Sequence, residues 1–332
     1  MSGFAPEREN RPLEISFIPT KMDLSIIIPA RNEEFLSRTT QDILEHKKGN
    51  TEIIIGLDGA WANPPIDRHP DVNVVYYPES IGQRAITNQC VKLSKAKYIM
   101  KSDSHCSFDE GFDVKMLDAF KETGDNVVMA PMMRNLHVYD WKCYKCGKRT
   151  YQDKGDICPV DGEKMRKKIL WQPRRGTRNW AYCFDPEPHF QYHSSQKAKT
   201  QEEEIVETMS LQGSAFMCTK EKYQELNLND EAFGSWGSQG IEVACKFWLS
   251  GGRVLVNKRT WYSHCFRTKA EFGFPYQLSG RQVSQAKERA RELFFKGKWP
   301  QATKKLSWLV EKFWPVKGWE DADLQKLQES GN

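Results

Sequence analysis

Four short apolar-rich runs stand out along the first hundred residues: 24–30 (LSIIIPA), 51–57 (TEIIIGL), 72–77 (VNVVYY) and 96–103 (AKYIMKSD). Runs of this kind predict strands buried on both faces of a parallel sheet. Polar stretches at 32–45 and 83–93 separate them and predict helices. Strand, helix, strand, helix predicts a doubly wound α/β sheet. The ligand crevice of such a sheet lies at the carboxyl ends of its strands. Arg31, Asp58 and Asp103 fall at or just beyond those ends. The pattern breaks between about 134 and 200, where the chain is polar and basic and holds paired cysteines. It resumes with an apolar run at 210–218 (SLQGSAFMC), a helix at 241–250 and a strand at 253–257 (RVLVN). The tail from about 280 to 330 is amphipathic and basic, which predicts helix.

Composition narrows the picture a little. The 332 residues carry a formal charge of only +5, so the placement of charge matters more than its sum. No run of about 18 apolar residues exists, and no membrane span is expected. The first twenty residues lack the basic and apolar regions of a secretory signal, so a cytoplasmic location is expected. Nine cysteines at irregular spacing make a poor disulfide framework and fit reduced or metal-bound thiols.

The first chemistry sits at the end of the fourth run, in Lys101-Ser102-Asp103-Ser104-His105-Cys106. Residues two apart in extended backbone point to one side, so Asp103 and His105 can reach one ion. A carboxylate with an imidazole suits a borderline divalent cation such as Mn2+, or Mg2+. Such an ion would bridge two phosphates and neutralise a leaving group. A polar loop after a strand is the plain alternative.

Four separated segments in order resemble the GT-A catalytic domain of the polypeptide N-acetylgalactosaminyltransferases. They are Arg84-Ala85 with SKAKYIMKSD, then Asp103-Ser104-His105-Cys106. Next come Trp236-Gly237-Ser238-Gln239-Gly240-Ile241-Glu242 with Phe247-Trp248 and Gly251-Gly252. Last are His264-Cys265-Phe266-Arg267 with Phe274-Pro275. The resemblance covers about 22–135 and 205–280. It implies a GT-A fold, Rossmann-like with a mostly parallel sheet, and a retaining transfer from a UDP-sugar. It implies that Asp103, His105 and His264 hold the metal and that Asp58 holds the uridine. Arg84 and Arg267 would contact the nucleotide or its pyrophosphate, and Trp236 would cover the donor. The family's histidine near the first strand end is Arg31 here, counted with the donor-binding residues. Its Glu-Asn pair is Gln239-Gly240, which bears on the donor sugar. Glu242 has two readings, a donor-side or structural carboxylate in a retaining enzyme or a general base in an inverting one; a first-turn glutamate favoured by the helix dipole is the plain one.

On this reading the chain divides into an arm (1–21), a nucleotide-sugar-binding half (22–135), a basic insert like a zinc ribbon (136–200), an acceptor and metal half (201–280) and a basic helical tail (281–332). Within the insert, Cys143-Tyr144-Lys145-Cys146-Gly147 and Cys158-Pro159-Val160-Asp161-Gly162 have the spacing of two zinc knuckles, with Asp161 where a cysteine is usual. His137 or Cys183 are alternative fourth ligands, and a metal-free loop with free thiols is the plain reading.

The run 164–178 (KMRKKILWQPRRGTR) holds seven basic residues, no acid, and Trp171. The tail adds further cations with Trp299 and Trp308. Interleaved basic and aromatic residues suit a phosphate backbone with base stacking. The expectation is therefore sugar transfer to the hydroxymethyl group of a modified pyrimidine in DNA (5-hydroxymethylcytosine), as in viral DNA hypermodification. Alternatives are transfer to protein Ser/Thr or a glycan, and a non-catalytic zinc-ribbon protein that binds nucleic acid.

Overall fold

The computed structural model describes residues 22–152, 154–266, 276 and 280–331. The first half runs β1 (Leu24–Ala30), α1 (Leu36–His46), β2 (Thr51–Asp58), β3 (Val72–Tyr77), α2 (Gln83–Leu93), β4 (Tyr98–Ser102), β5 (Cys106–Phe108), α3 (Phe112–Thr123) and β6 (Val127–Lys142). The middle adds β7 (Arg149–Tyr151), β8 (Arg166–Pro173), β9 (Tyr182–Phe184), β10 (Phe190–Tyr192), α4 (Ser194–Lys199) and β11 (Ile205–Glu207). The last part holds β12 (Ala215–Thr219), α5 (Lys220–Glu225), α6 (Gln239–Leu249), β13 (Arg253–His264), α7 (Gly280–Ala290), α8 (Leu306–Lys312) and α9 (Asp321–Glu329).

One sheet orders its strands β11-β13-β6-β12-β4-β1-β2-β3, with β5 joined to β13 and with β7 and β8 joined to β6. Strands β1 to β4 pair in parallel, as do β6 and β13, while β12 is antiparallel to both its neighbours. The apolar runs need no alternation because both faces are covered. Ile26 and Ile28 join the cluster under α1 and α3, whereas Ile27 joins the one under α6 and the tail. Each such side chain contributes about 1.5–3 kcal/mol by burial. Helix α2 lies so close to β2 that a Cβ on Gly56 would sit 2.5 Å from Ile86.

Three features differ from the patterns read in the sequence. Strand β13 does not stop at Asn257. A register shift between Asn257 and Trp261 lets it continue to His264. There the exposed Arg259 reaches Glu122 and Glu204, so the polar residues sit in an irregularity rather than at a strand end. Strand β6 is one uninterrupted element of 16 residues that passes from the sheet into the insert. The tail is helical, but its tryptophans do not form a stacking surface. Trp299 is buried with Phe313 and Trp319 against α6, and Trp308 packs on that cluster. Trp171 is also buried, and its Nε1 donates to Asp42 Oδ2 at 2.8 Å. Among the described residues no helix is long and apolar enough to cross a membrane.

Candidate active site

Three strands end at one point. Asp103 follows β4 and is fixed by its backbone N–H, which donates to Ser214 O at 2.8 Å. His105 precedes β5, and its carbonyl accepts from Cys265 N at 3.0 Å. His264 closes β13, in register with Cys106 on one side and Asn135 on the other. The two Nε2 atoms lie 3.1 Å apart, and His264 Nε2 is 3.2 Å from Asp103 Oδ2. All three ligand atoms fall within 4.8 Å of one another. Burial pushes His264 down to about 4, which leaves the imidazole neutral and its lone pair available at neutral pH. Burial opposes ionisation of Asp103, but Lys101 and the His264 hydrogen bond outweigh it and hold the carboxyl well below its usual range. One carboxylate and two imidazoles, converging on one point, suit a borderline divalent cation.

Glu33 is a residue that the sequence reading missed. It is buried, and its Oε2 lies 3.4 Å from His105 Nδ1, where a carboxylate orients a metal-binding imidazole. No periodicity marks it. Only its place just past the end of β1 could have pointed to it.

These residues open onto a cavity of about 600 Å³. Gln83, Trp236, Gln239, Phe266, Tyr276 and Lys287 also line it, with Phe190 at the insert side. Gln239 is the first residue of α6. A Cβ on Gly240 would stand 1.9 Å from Leu211 O, so the family's Asn could not stand at this position in this backbone. Lys287 belongs to α7, where the sequence offered only a basic tail.

Other anticipated residues stand behind those that line the cavity. Asp58 is fully buried. It accepts from Ser80 Oγ, Ile81 N and Gly82 N at 2.6–3.0 Å, so it shapes the turn that opens α2. Arg31 spans the same corner, donating from Nη1 to Asp58 O at 2.9 Å. Arg84 and Glu242 are paired with each other in the interior. Arg84 Nη2 also donates to Gly237 O at 2.6 Å, and Glu242 Oε1 accepts from Asp230 N and Lys246 Nζ, both at 2.8 Å. In this structure Arg84 and Glu242 form an ion network behind the Trp236–Gln239 loop. In that loop Gly237 and Ser238 have φ of 109° and 50°. Arg267 lies outside the described residues, as do Phe274 and Pro275.

A second cluster lies in the insert. Cys143, Cys146, Cys158 and Asp161 bring four ligand atoms within 4.8 Å of one another. Cys146 and Cys158 Sγ are 3.5 Å apart, and Cys143 Sγ is 3.4 Å from Asp161 Oδ2. Gly147 N donates to Cys143 O and Gly162 N to Cys158 O, at 3.1 and 3.0 Å, so the two turns repeat one geometry. Both glycines have positive φ, 78° and 70°. The cluster excludes the alternative ligands. His137 lies six residues back along β6, about 20 Å away by strand rise, and is bonded to Asp140. Cys183 is buried in the core beside the tail.

Residues 25–176 match the model of glycosyl transferase family 2. That match covers a little under half of the chain, and the fold as a whole is GT-A-like. Its relatives include polypeptide N-acetylgalactosaminyltransferase 6 of Bos taurus, 22% identical over 285 residues, 82% of this chain and 42% of that protein. Polypeptide N-acetylgalactosaminyltransferase 3 of Homo sapiens is 29% identical over 109 residues, 33% of this chain and 16% of that protein. The chain thus spans under half the length of these relatives. Among solved structures, GalNAc-T7 with UDP, GalNAc and Mn2+ superposes with a TM-score of 0.58 at 14% identity, covering 94% of this chain and 54% of that one. S. aureus TarS 1-349 in complex with UDP-GlcNAc gives 0.51 at 10%, covering 88% and 71%. These structural likenesses establish the fold.

Proposed function

We propose that the protein is a metal-dependent, retaining glycosyltransferase. It moves a hexose or N-acetylhexosamine from a UDP-sugar to a hydroxyl, that of a hydroxymethylated pyrimidine in DNA such as 5-hydroxymethylcytosine. The observation that carries the transferase reading is the convergence of Asp103, His105 and His264 on a cavity that also holds Trp236 and Gln239. Those three residues would hold Mn2+ or Mg2+, which supplies charge for the departing diphosphate. Glu33 orients His105, and neutral His264 keeps its lone pair directed inward. Trp236 and Gln239 line the wall where the sugar would rest, and Arg267 is retained as a donor-side candidate from the family motif. Glu242 has both oxygens engaged, so it is not free to take a proton. The acceptor oxygen then attacks on the face that the diphosphate leaves, and its proton passes to the departing phosphate oxygen. Arg84, Asp58 and Arg31 act on this site through the loops they brace.

Zn2+ belongs in the Cys143, Cys146, Cys158, Asp161 cluster, where its role is structural. The DNA acceptor is supported by exposed Arg174, Arg175 and Arg178 near the strand end that carries His264. A cytoplasmic, membrane-free setting goes with it. The relatives' names favour a second acceptor, Ser or Thr of a polypeptide. A labelled-sugar transfer assay with manganese separates the two. It offers UDP-hexose or UDP-N-acetylhexosamine to plain DNA, hydroxymethylcytosine DNA and a Ser/Thr peptide pool. Label on hydroxymethylated DNA alone supports the first reading. Label on peptide alone removes it and leaves the transferase core standing.

A further inference from the structure

Three arginines gather near the strand end that carries His264, and among the described residues none of them forms a carboxylate ion pair; the nearest acids are Asp109, by Arg134, and Glu202, Glu203 and Glu204, by the adjoining Lys258. Arg134 lies on β6 one residue before Asn135, the register partner of His264. Arg175 and Arg178 come from the turn after β8. That turn is tied to the same place: Arg174 N donates to Asn135 O, and Asn135 N donates to Thr177 Oγ1, both at 2.9 Å. The Arg134 guanidinium stacks 4.7 Å from the Trp261 ring centre, and its Nε is buried with no hydrogen-bond partner. Arg178 is exposed, and its Nε donates to Met132 Sδ at 3.4 Å. Lys197 and Lys258 stand behind, 4.8 and 4.6 Å from the Trp180 ring that Arg178 also faces. Their ammonium groups are occupied by the carbonyls of Arg178, Thr200 and Gln201. The acid nearest in charge to Arg134, Asp109, is held by Lys115 at 2.7 Å.

Like charges so close repel one another. Burial, then Arg178 and Arg175, push the Arg134 guanidinium below its ordinary value, and burial followed by Arg178 does the same to Lys197. Folding bears this repulsion, and an anion placed among the forks would relieve it. Planar guanidinium forks match phosphate oxygens two at a time. The charge also extends along a line. Strand β8 carries exposed Arg166 and Lys168 from the ribbon toward this turn, so the feature fits a polymer of phosphates better than a single one.

The geometry points to Arg134, Arg175 and Arg178 as a docking site for the phosphodiester backbone of a nucleic-acid acceptor, beside the strand end that carries His264. This rests on the DNA reading above. The site fixes where the strand lies and leaves the reading of the base to the cavity.

The test uses the full chain and the exposed pair Arg175→Gln/Arg178→Gln. Binding to a labelled DNA of about 20 nucleotides, single-stranded and duplex, is followed by anisotropy between about 50 and 300 mM salt. Each phosphate contact contributes about 0.9 to the slope of log affinity against log salt, so the pair should lower the slope by about two. Affinity at low salt should fall about ten-fold or more, with melting temperature and manganese-dependent UDP-sugar hydrolysis unchanged. If the variant keeps the parent's slope and affinity, the docking site is wrong while the DNA acceptor stands. If the parent hydrolyses donor yet binds neither DNA with salt-dependent affinity, the DNA acceptor and the docking site fall together.

Discussion

The molecule builds two metal-type clusters in opposite ways. The insert's four ligands span residues 143 to 161, come from two turns of one geometry, and include three thiols. The cleft's three ligands span 103 to 264, come from the ends of three strand segments, and include no thiol. The first can assemble before the domain does, because its order is local. The second exists only when the sheet is complete, and it faces a cavity rather than closing on itself. A closed thiolate set suits a structural ion, whereas an open set with few protein ligands leaves room for substrate oxygens.

Chelation should therefore separate the clusters, with the largest effect in the insert. Cys158→Ser should abolish about one zinc per chain and expose residues 143–165 to protease. Structural zinc sites bind with about 10–16 kcal/mol of apparent free energy, which is then withdrawn from the local fold. Metal analysis with limited proteolysis checks this; an intact zinc content would remove the ribbon assignment.

A middle-sized effect is expected at the cleft. His264→Gln should lower transfer by roughly 10³-fold, about 4 kcal/mol of transition-state energy, without loss of zinc. Its folded value of about 4 lies below the ordinary 6.5 of histidine. As pH falls from about 6.5 to 4, the unfolded chain takes up a proton that the folded one refuses. The metal-free parent should thus lose up to about 3 kcal/mol of stability across that window. Denaturant titrations should show the loss in the parent and its absence in His264→Gln.

The smallest effect sharpens the contrast further. Glu33→Gln should weaken manganese binding about 10- to 100-fold and leave zinc content unaltered, since it acts through the orientation of His105. Calorimetry with unchanged manganese affinity would remove Glu33 from the site.

Much of this was legible in the residues. The unbroken apolar runs announced buried parallel strands, and Asp103-Ser104-His105 announced one side of the cleft because period-two geometry is local. The knuckles were legible for the same reason. The pairing of Arg84 with Glu242 was not, since it joins positions 158 apart and leaves no mark on periodicity. Charge by itself misled at the tryptophans. Trp171 and Trp299 lie among cations in the chain, yet both turn inward, and only the fold decides which face of an amphipathic stretch is covered. The continuation of β13 beyond Asn257 was hidden by charged residues that the register shift absorbs.

Strand β6 carries a consequence for anyone who would rebuild the protein. Its 16 residues extend about 50 Å, shared between the central sheet and the ribbon. The ribbon is thus no detachable bead joined by a linker. A chimera with a foreign ribbon must be spliced inside a strand whose pairing with β13 sets the place of His264. A slip of one residue at that joint would turn every later side chain to the opposite face. Any exchange of ribbons between such proteins has to preserve the parity of that strand.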